Sequence, residues 1–211
     1  METLIVTAIV IGAYCMCIAK RITALVRGFA MQSFFLCLYT LVRAWKEHSP
    51  ELYIVAGLLF CLKVMVIPYS LDKICRKIKV KDNLGLFVNT QVSLVCALAF
   101  TYGAWVFSNM AVPGQDPAMT AALTASLTIV MAGMFLMVFR MKALTQTIGL
   151  LVMENGIFLL ASSIAGGLPF FVEISIFLDV FVSVIILNIF VYRINKLFTH
   201  IDVTKLTRLK G

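Results

Sequence analysis

Three ionisable residues lie deep inside apolar runs of this chain: Lys63 in FCLKVMVIPY, Glu154 in GLLVMENGIF and Asp179 in ISIFLDVFVS. Lys63 stands twelve residues from Glu51 and ten from Lys73, while Glu154 stands fourteen from Arg140 and fifteen from Pro169. At a helical rise of ~1.5 Å per residue, both are near the middle of a bilayer-crossing segment. Asp179 is six residues past Glu173, closer to one edge. A charge at that depth costs about 2.5–3.5 kcal/mol, so such residues face a protein interior or a wet path and tend to mark ion or proton routes. Desolvation disfavours the charged form of each group and brings proton exchange among them within reach of neutral pH. The chemistry on offer is therefore a proton relay through Lys63, Glu154 and Asp179. The competing reading is static: protonated carboxyls acting as hydrogen-bond glue, or a locked ion pair.

Other polar positions fall around these three. Gln32 is eleven residues from both Arg21 and Arg43 and is able to order a water wire or simply to hold two helices together. Pro68 has no amide hydrogen, so it takes a donor from the Val64 carbonyl and marks a helix kink with room for water near Lys63. Gly149 and Gly156, seven residues apart, allow close helix approach beside Glu154. Arg27 reaches back to the surface, Asn89 to Ser93 give one helix a polar start, and Glu173 reads as a solvated interfacial carboxylate. The six cysteines (15, 17, 37, 61, 75 and 96) are scattered without metal-ligand spacing and read as small core residues. No phosphate loop, nucleophile elbow or paired-histidine motif is present in the sequence, so neither a metal nor another cofactor is expected.

The elements that must position these groups follow from composition. The 211 residues are 62% hydrophobic and 13% charged, and the mean hydropathy is +1.01. That excludes a soluble domain and predicts an all-α polytopic membrane protein. Seven apolar windows are long enough to cross: about 3–19, 22–42, 52–71, 84–109, 118–139, 143–165 and 171–194. The first follows Met1-Glu2 and precedes Lys20-Arg21, the reverse of a signal peptide's charge order, so it reads as a retained anchor. The net charge of +8 arises mostly from basic residues in alternate short loops and the tail, with only Arg43 and Lys46 on the other side. By the positive-inside rule this predicts an external N-terminus and a cytoplasmic C-terminus, and it is a topology signal rather than a nucleic-acid patch. Arg21-ITAL and Arg140-MKAL open the second and sixth spans in register. This suggests a parallel duplication: a three-helix unit over 1–83, a linking helix and outer loop over 84–117, and a second three-helix unit with a cytoplasmic tail over 118–211.

The last third, IGLLVMENGIFLL, FVEISIFLDVF and the tail HIDVTKLTRLKG, resembles the E subunit of hydrogenase-4-type membrane complexes, the Hyf group. Lys63 and Pro68 match a family segment of the type T-K-V-L-L-V-P, and matched features run from about residue 20 to 211. Spans five to seven are in turn similar to the small K subunit of respiratory complex I. That subunit's first glutamate falls at Leu151 here, three residues before Glu154, and its second falls near Phe181, two residues after Asp179. The resemblance implies a non-catalytic, cofactor-free subunit of a group 4 [NiFe] hydrogenase or related complex in the cytoplasmic (inner) membrane. Its partners would be antiporter-like membrane subunits, a proximal membrane subunit and a cytosolic iron–sulfur and hydrogenase module. Its role would be to couple redox change to movement of protons or sodium. A purely structural adaptor and a small independent transporter are the alternatives.

Overall fold

The computed structural model describes residues 2–48, 50–77, 89–112, 117–140 and 143–164. The expected seventh span, with Asp179, Glu173 and the tail, lies outside them, as does the third helix needed to compare the two halves. The elements are α1 (Glu2–Ile18), α2 (Ile22–Glu47), α3 (Pro50–Leu59), a π-helical segment (Phe60–Val66), α4 (Ile67–Lys77), α5 (Thr90–Ala111), α6 (Pro117–Phe139) and α7 (Ala143–Ile164). Because α3, the π segment and α4 are continuous, the described chain forms six rods. Five rods are long and apolar enough to cross a membrane, and α1 is apolar but shorter at 17 residues. The described residues are thus all-helical, with multi-pass membrane character.

Local chemistry accounts for the helix limits. An apolar run in lipid satisfies its backbone polar groups only by coiling on itself. Pro50 and Pro117 occupy the first positions of α3 and α6, where a missing N–H costs nothing. At its far end α2 closes on His48 in the left-handed conformation, with φ at 50°. It continues five residues past its expected end at Val42 because Arg43 and Glu47, one turn apart, form an ion pair at 2.6 Å. Hydroxyls inside the rods fold back on carbonyls four residues earlier, as Thr124 does on Thr120, Thr128 on Thr124 and Ser126 on Ala122, at 2.6–2.8 Å.

The core lies among α1, α2, α6 and α7, where Ile9, Phe29, Leu36, Ile129, Leu136, Ile148 and Leu151 are fully buried. The tightest interface joins α6 to α7, and glycine makes it possible. A methyl group on Gly133 would lie 2.5 Å from the Met153 backbone nitrogen, and one on Gly149 2.9 Å from the Gly133 carbonyl. Gly156 meets Val130 and Ser126 in the same way. This is the close approach expected of Gly149 and Gly156. By contrast, among the described residues α5 packs mainly on α6 and α1, and Leu98, Tyr102, Trp105, Phe107 and Met110 are exposed there. An apolar belt of this extent fits a lipid-facing surface and would be a liability in water.

Charged groups clamp both ends of the bundle. At one face Lys46 pairs with Glu2 at 2.8 Å, tying the end of α2 to the start of α1, and Arg43 donates to the Ser162 carbonyl at 3.5 Å. At the other, Arg140 is buried to 2% exposure and donates to the carbonyls of Met16 and Cys17, at 3.4 and 2.8 Å. Those carbonyls belong to the last turn of α1, where backbone donors run short and the negative end of the helix dipole lies; the Ala19 amide also donates to Met16, at 3.3 Å. The basic turns after α1 and after α6 therefore lie at one face of the bundle.

Candidate functional site

Lys63 projects from the π-helical segment and is its one buried residue. In α-helical winding, Pro68 would leave the Val64 carbonyl without a donor. Instead the chain widens from Phe60 to Val66, and the Ile67 amide donates to the carbonyl of Leu62, five residues back. The proline's effect is thus a changed winding that begins eight residues before it, and Lys63 sits within the altered stretch. Such segments are rare in helices and recur at functional sites.

Three of the expected site residues converge there. The Lys63 ammonium lies 2.7 Å from Glu154 Oε1 on α7, with Lys63 1% and Glu154 7% exposed. Lys63 also donates to Asn155 Oδ1 at 3.0 Å. The Asn155 amide then donates to Gln32 Oε1 at 3.3 Å and to Ser33 Oγ at 3.2 Å, both on α2. Gln32 in turn donates to the Ile9 carbonyl on α1 at 3.4 Å. One unbroken polar chain therefore crosses the apolar core, from Glu154 through Lys63, Asn155 and Gln32 to the backbone of α1. Glu154 approaches Lys63 as a contact ion pair, and its Oε2 is buried with no hydrogen-bond partner among the described residues.

The helices fix these positions by simple geometry. Gly12 on α1 sits against the Gln32 side chain, which a methyl group there would meet at 3.5 Å. Gly149 and Gly156 let α7 press against α6, so that the opposite side of α7, with Glu154 and Asn155, turns toward α2 and the π segment. Gln32 and Ser33 are consecutive and both fully buried, so α2 offers two acceptors to one amide. The remaining expected residues are placed elsewhere. Arg27 is exposed on the first half of α2, Asn89 precedes α5, and Ser93 donates to the Asn89 carbonyl at 3.2 Å. Cys17 and Cys37 are buried and fit the core reading, whereas Cys15 and Cys61 are exposed on helix surfaces. No group of three or more metal-ligating side chains occurs among the described residues.

Asn155, Ser33 and Arg140 are contributions that the sequence reading did not assign. Asn155 had a usable signal, because an amide next to a mid-membrane glutamate is costly unless its groups are paired. Arg140 counted only toward topology and the internal repeat, since nothing in its neighbourhood announces a partner more than a hundred residues earlier.

The chain is 27% identical over 192 residues to the Uncharacterized protein Rv0085 of Mycobacterium tuberculosis, a match that covers 90% of this chain and 87% of that protein. No family model matches the chain, and no solved structure matches it.

Proposed function

We propose that this chain is a membrane-arm subunit of a group 4 [NiFe] hydrogenase or a related complex-I-like redox complex, and that it contributes to proton or sodium translocation through its buried charged residues. The observation that carries the transport half of this reading is the Glu154–Lys63–Asn155–Gln32 chain. A relay needs donors and acceptors at hydrogen-bond reach, and here a carboxylate, an ammonium and two amides are joined at 2.7–3.3 Å in the apolar core. Each amide both accepts and donates, so the chain offers continuous contacts rather than isolated charges. The assignment to a redox complex rests on the resemblance of the ENG segment, the Lys63–Pro68 segment and the tail. Following that resemblance, the chain holds no cofactor. By its seven apolar windows and the bias of basic residues it spans the cytoplasmic membrane seven times with its N-terminus outside, and its basic tail docks on a cytosolic-side neighbour.

In this account a change of charge in the redox module shifts the preferred protonation of Glu154 and Lys63. Asp179 would extend the path toward the outer side. The test is the company the chain keeps. Purification under mild detergent, with a tag on the C-terminus and mass spectrometry of the co-purifying chains, should recover antiporter-like subunits together with an iron–sulfur module. Recovery of the chain alone, with intact ion transport in vesicles, would favour an independent transporter.

A further inference from the structure

One cleft among the described residues, lined by both polar and apolar side chains, leads toward the buried network without being part of it. It lies between the first half of α2 and α4, has a volume of about 220 Å³, and is lined by Thr23, Val26, Arg27, Ala30, Pro68 and Asp72. Its mouth is at the face of the bundle that carries Lys20, Arg21 and Arg140, because Thr23 follows Arg21 by two residues. Its inner end is set by Ala30, one turn before Ser33, and by Pro68, five residues after Lys63. At a rise of ~1.5 Å per residue, Pro68 lies about 7.5 Å along its helix from Lys63, roughly one and a half turns.

We infer that this cleft is the water-filled entry through which protons reach Lys63 and Glu154 from the basic face. The inference rests on the relay reading above and specifies its access route. A cavity holds water when it is roomy and polar, and this one exceeds the ~30 Å³ share of a single water several-fold. A hydroxyl, a guanidinium and a carboxylate line it, from Thr23, Arg27 and Asp72. The two side chains nearest the network are both small or rigid: Ala30 has one methyl group, and the Pro68 ring carries no amide hydrogen. The π-helical winding ends just before Pro68, so the altered stretch and the cleft adjoin. One or two waters between Ala30 and Pro68 would complete the connection.

The test uses the full chain in membrane vesicles of both orientations. In Ala30→Cys, a membrane-impermeant charged thiol reagent is applied, and modification at each cysteine is read by mass spectrometry. Cys37, buried deeper in α2, is the internal comparison. Position 30 should react faster than Cys37, and only from the face bearing Lys20 and Arg21. Equal protection of both, or reaction only from the opposite face, would overturn the route. Independently, Ala30→Phe fills the cleft and should slow hydrogen–deuterium exchange of the Lys63 ammonium by about tenfold, the rate equivalent of ~1.4 kcal/mol. The Lys63 ammonium infrared band, assigned by its loss in Lys63→Met, reports that rate, and an unchanged rate would refute the entry. These readouts separate the two ideas: shielding of position 30 removes the cleft as the entrance, whereas ion transport that survives Glu154→Gln removes the relay itself.

Discussion

Converting the buried pair to a hydrophobic one separates what holds this protein together from what makes it work. The substitutions are Lys63→Met and Glu154→Leu, singly and together. At 2.7 Å and an effective dielectric of about 20, the gross attraction is about 6 kcal/mol. Much of that offsets the desolvation of two groups that are 1% and 7% exposed. Removing one member of such a pair costs about 3–5 kcal/mol, whereas replacing both with apolar groups of similar volume is often neutral or stabilising by ~1–4 kcal/mol. Lys63→Met leaves a carboxylate whose Oε2 already has no hydrogen-bond partner among the described residues. Glu154→Leu removes the carboxylate from beside a fully buried ammonium. Each single variant should therefore unfold about 3–5 kcal/mol more easily in detergent, and the double variant should recover most of that loss. Recovered stability with lost ion translocation assigns the pair to transport. Recovered stability with intact translocation assigns it to architecture alone. Single variants that cost less than about 1 kcal/mol, or effects that simply add, would refute the buried ion pair as described.

Other outcomes follow from the same structure. Gly149→Leu forces a side chain into the Met137 and Gly133 backbone and should destabilise by at least ~1–3 kcal/mol in detergent unfolding, with the α6–α7 interface parting first by hydrogen exchange. Arg140→Gln withdraws the charged donor from the Met16 and Cys17 carbonyls, and thermal unfolding should show a loss of about 1.5–3 kcal/mol. Impermeant labelling of single cysteines in the turns after α1 and α6 should find both on the cytoplasmic side; labelling from the outside would reverse the proposed topology.

The helical class and the places of most rods were legible because each apolar window is bounded by charge or proline. Lys20-Arg21 ends α1, and Pro50 and Pro117 open α3 and α6. One boundary moved for a reason that hydropathy cannot weigh: the polar end of α2 stays helical through the Arg43–Glu47 pair. The expected start of the fourth span, at residue 84, lies outside the described residues. At the site, burial cost alone singled out Lys63, Glu154 and Gln32, and those three do converge. Their order along the chain of contacts was not legible, because it depends on Asn155, whose position between Lys63 and Gln32 is a fact of tertiary packing. Pro68 announced a disturbance near Lys63 but not its form, since a kink and a π-helical stretch begin from the same missing amide. Arg140 shows the limit most plainly: a charged residue in a short turn looks solvated until a distant helix end needs its donors.

The most direct test of the central claim is the ratio of ions moved to electrons transferred in the purified complex carrying Glu154→Gln. We expect a complex that assembles and turns over its redox substrate while ion translocation falls away, because a neutral amide at position 154 accepts no proton from Lys63. An unchanged ratio in that variant would contradict the relay.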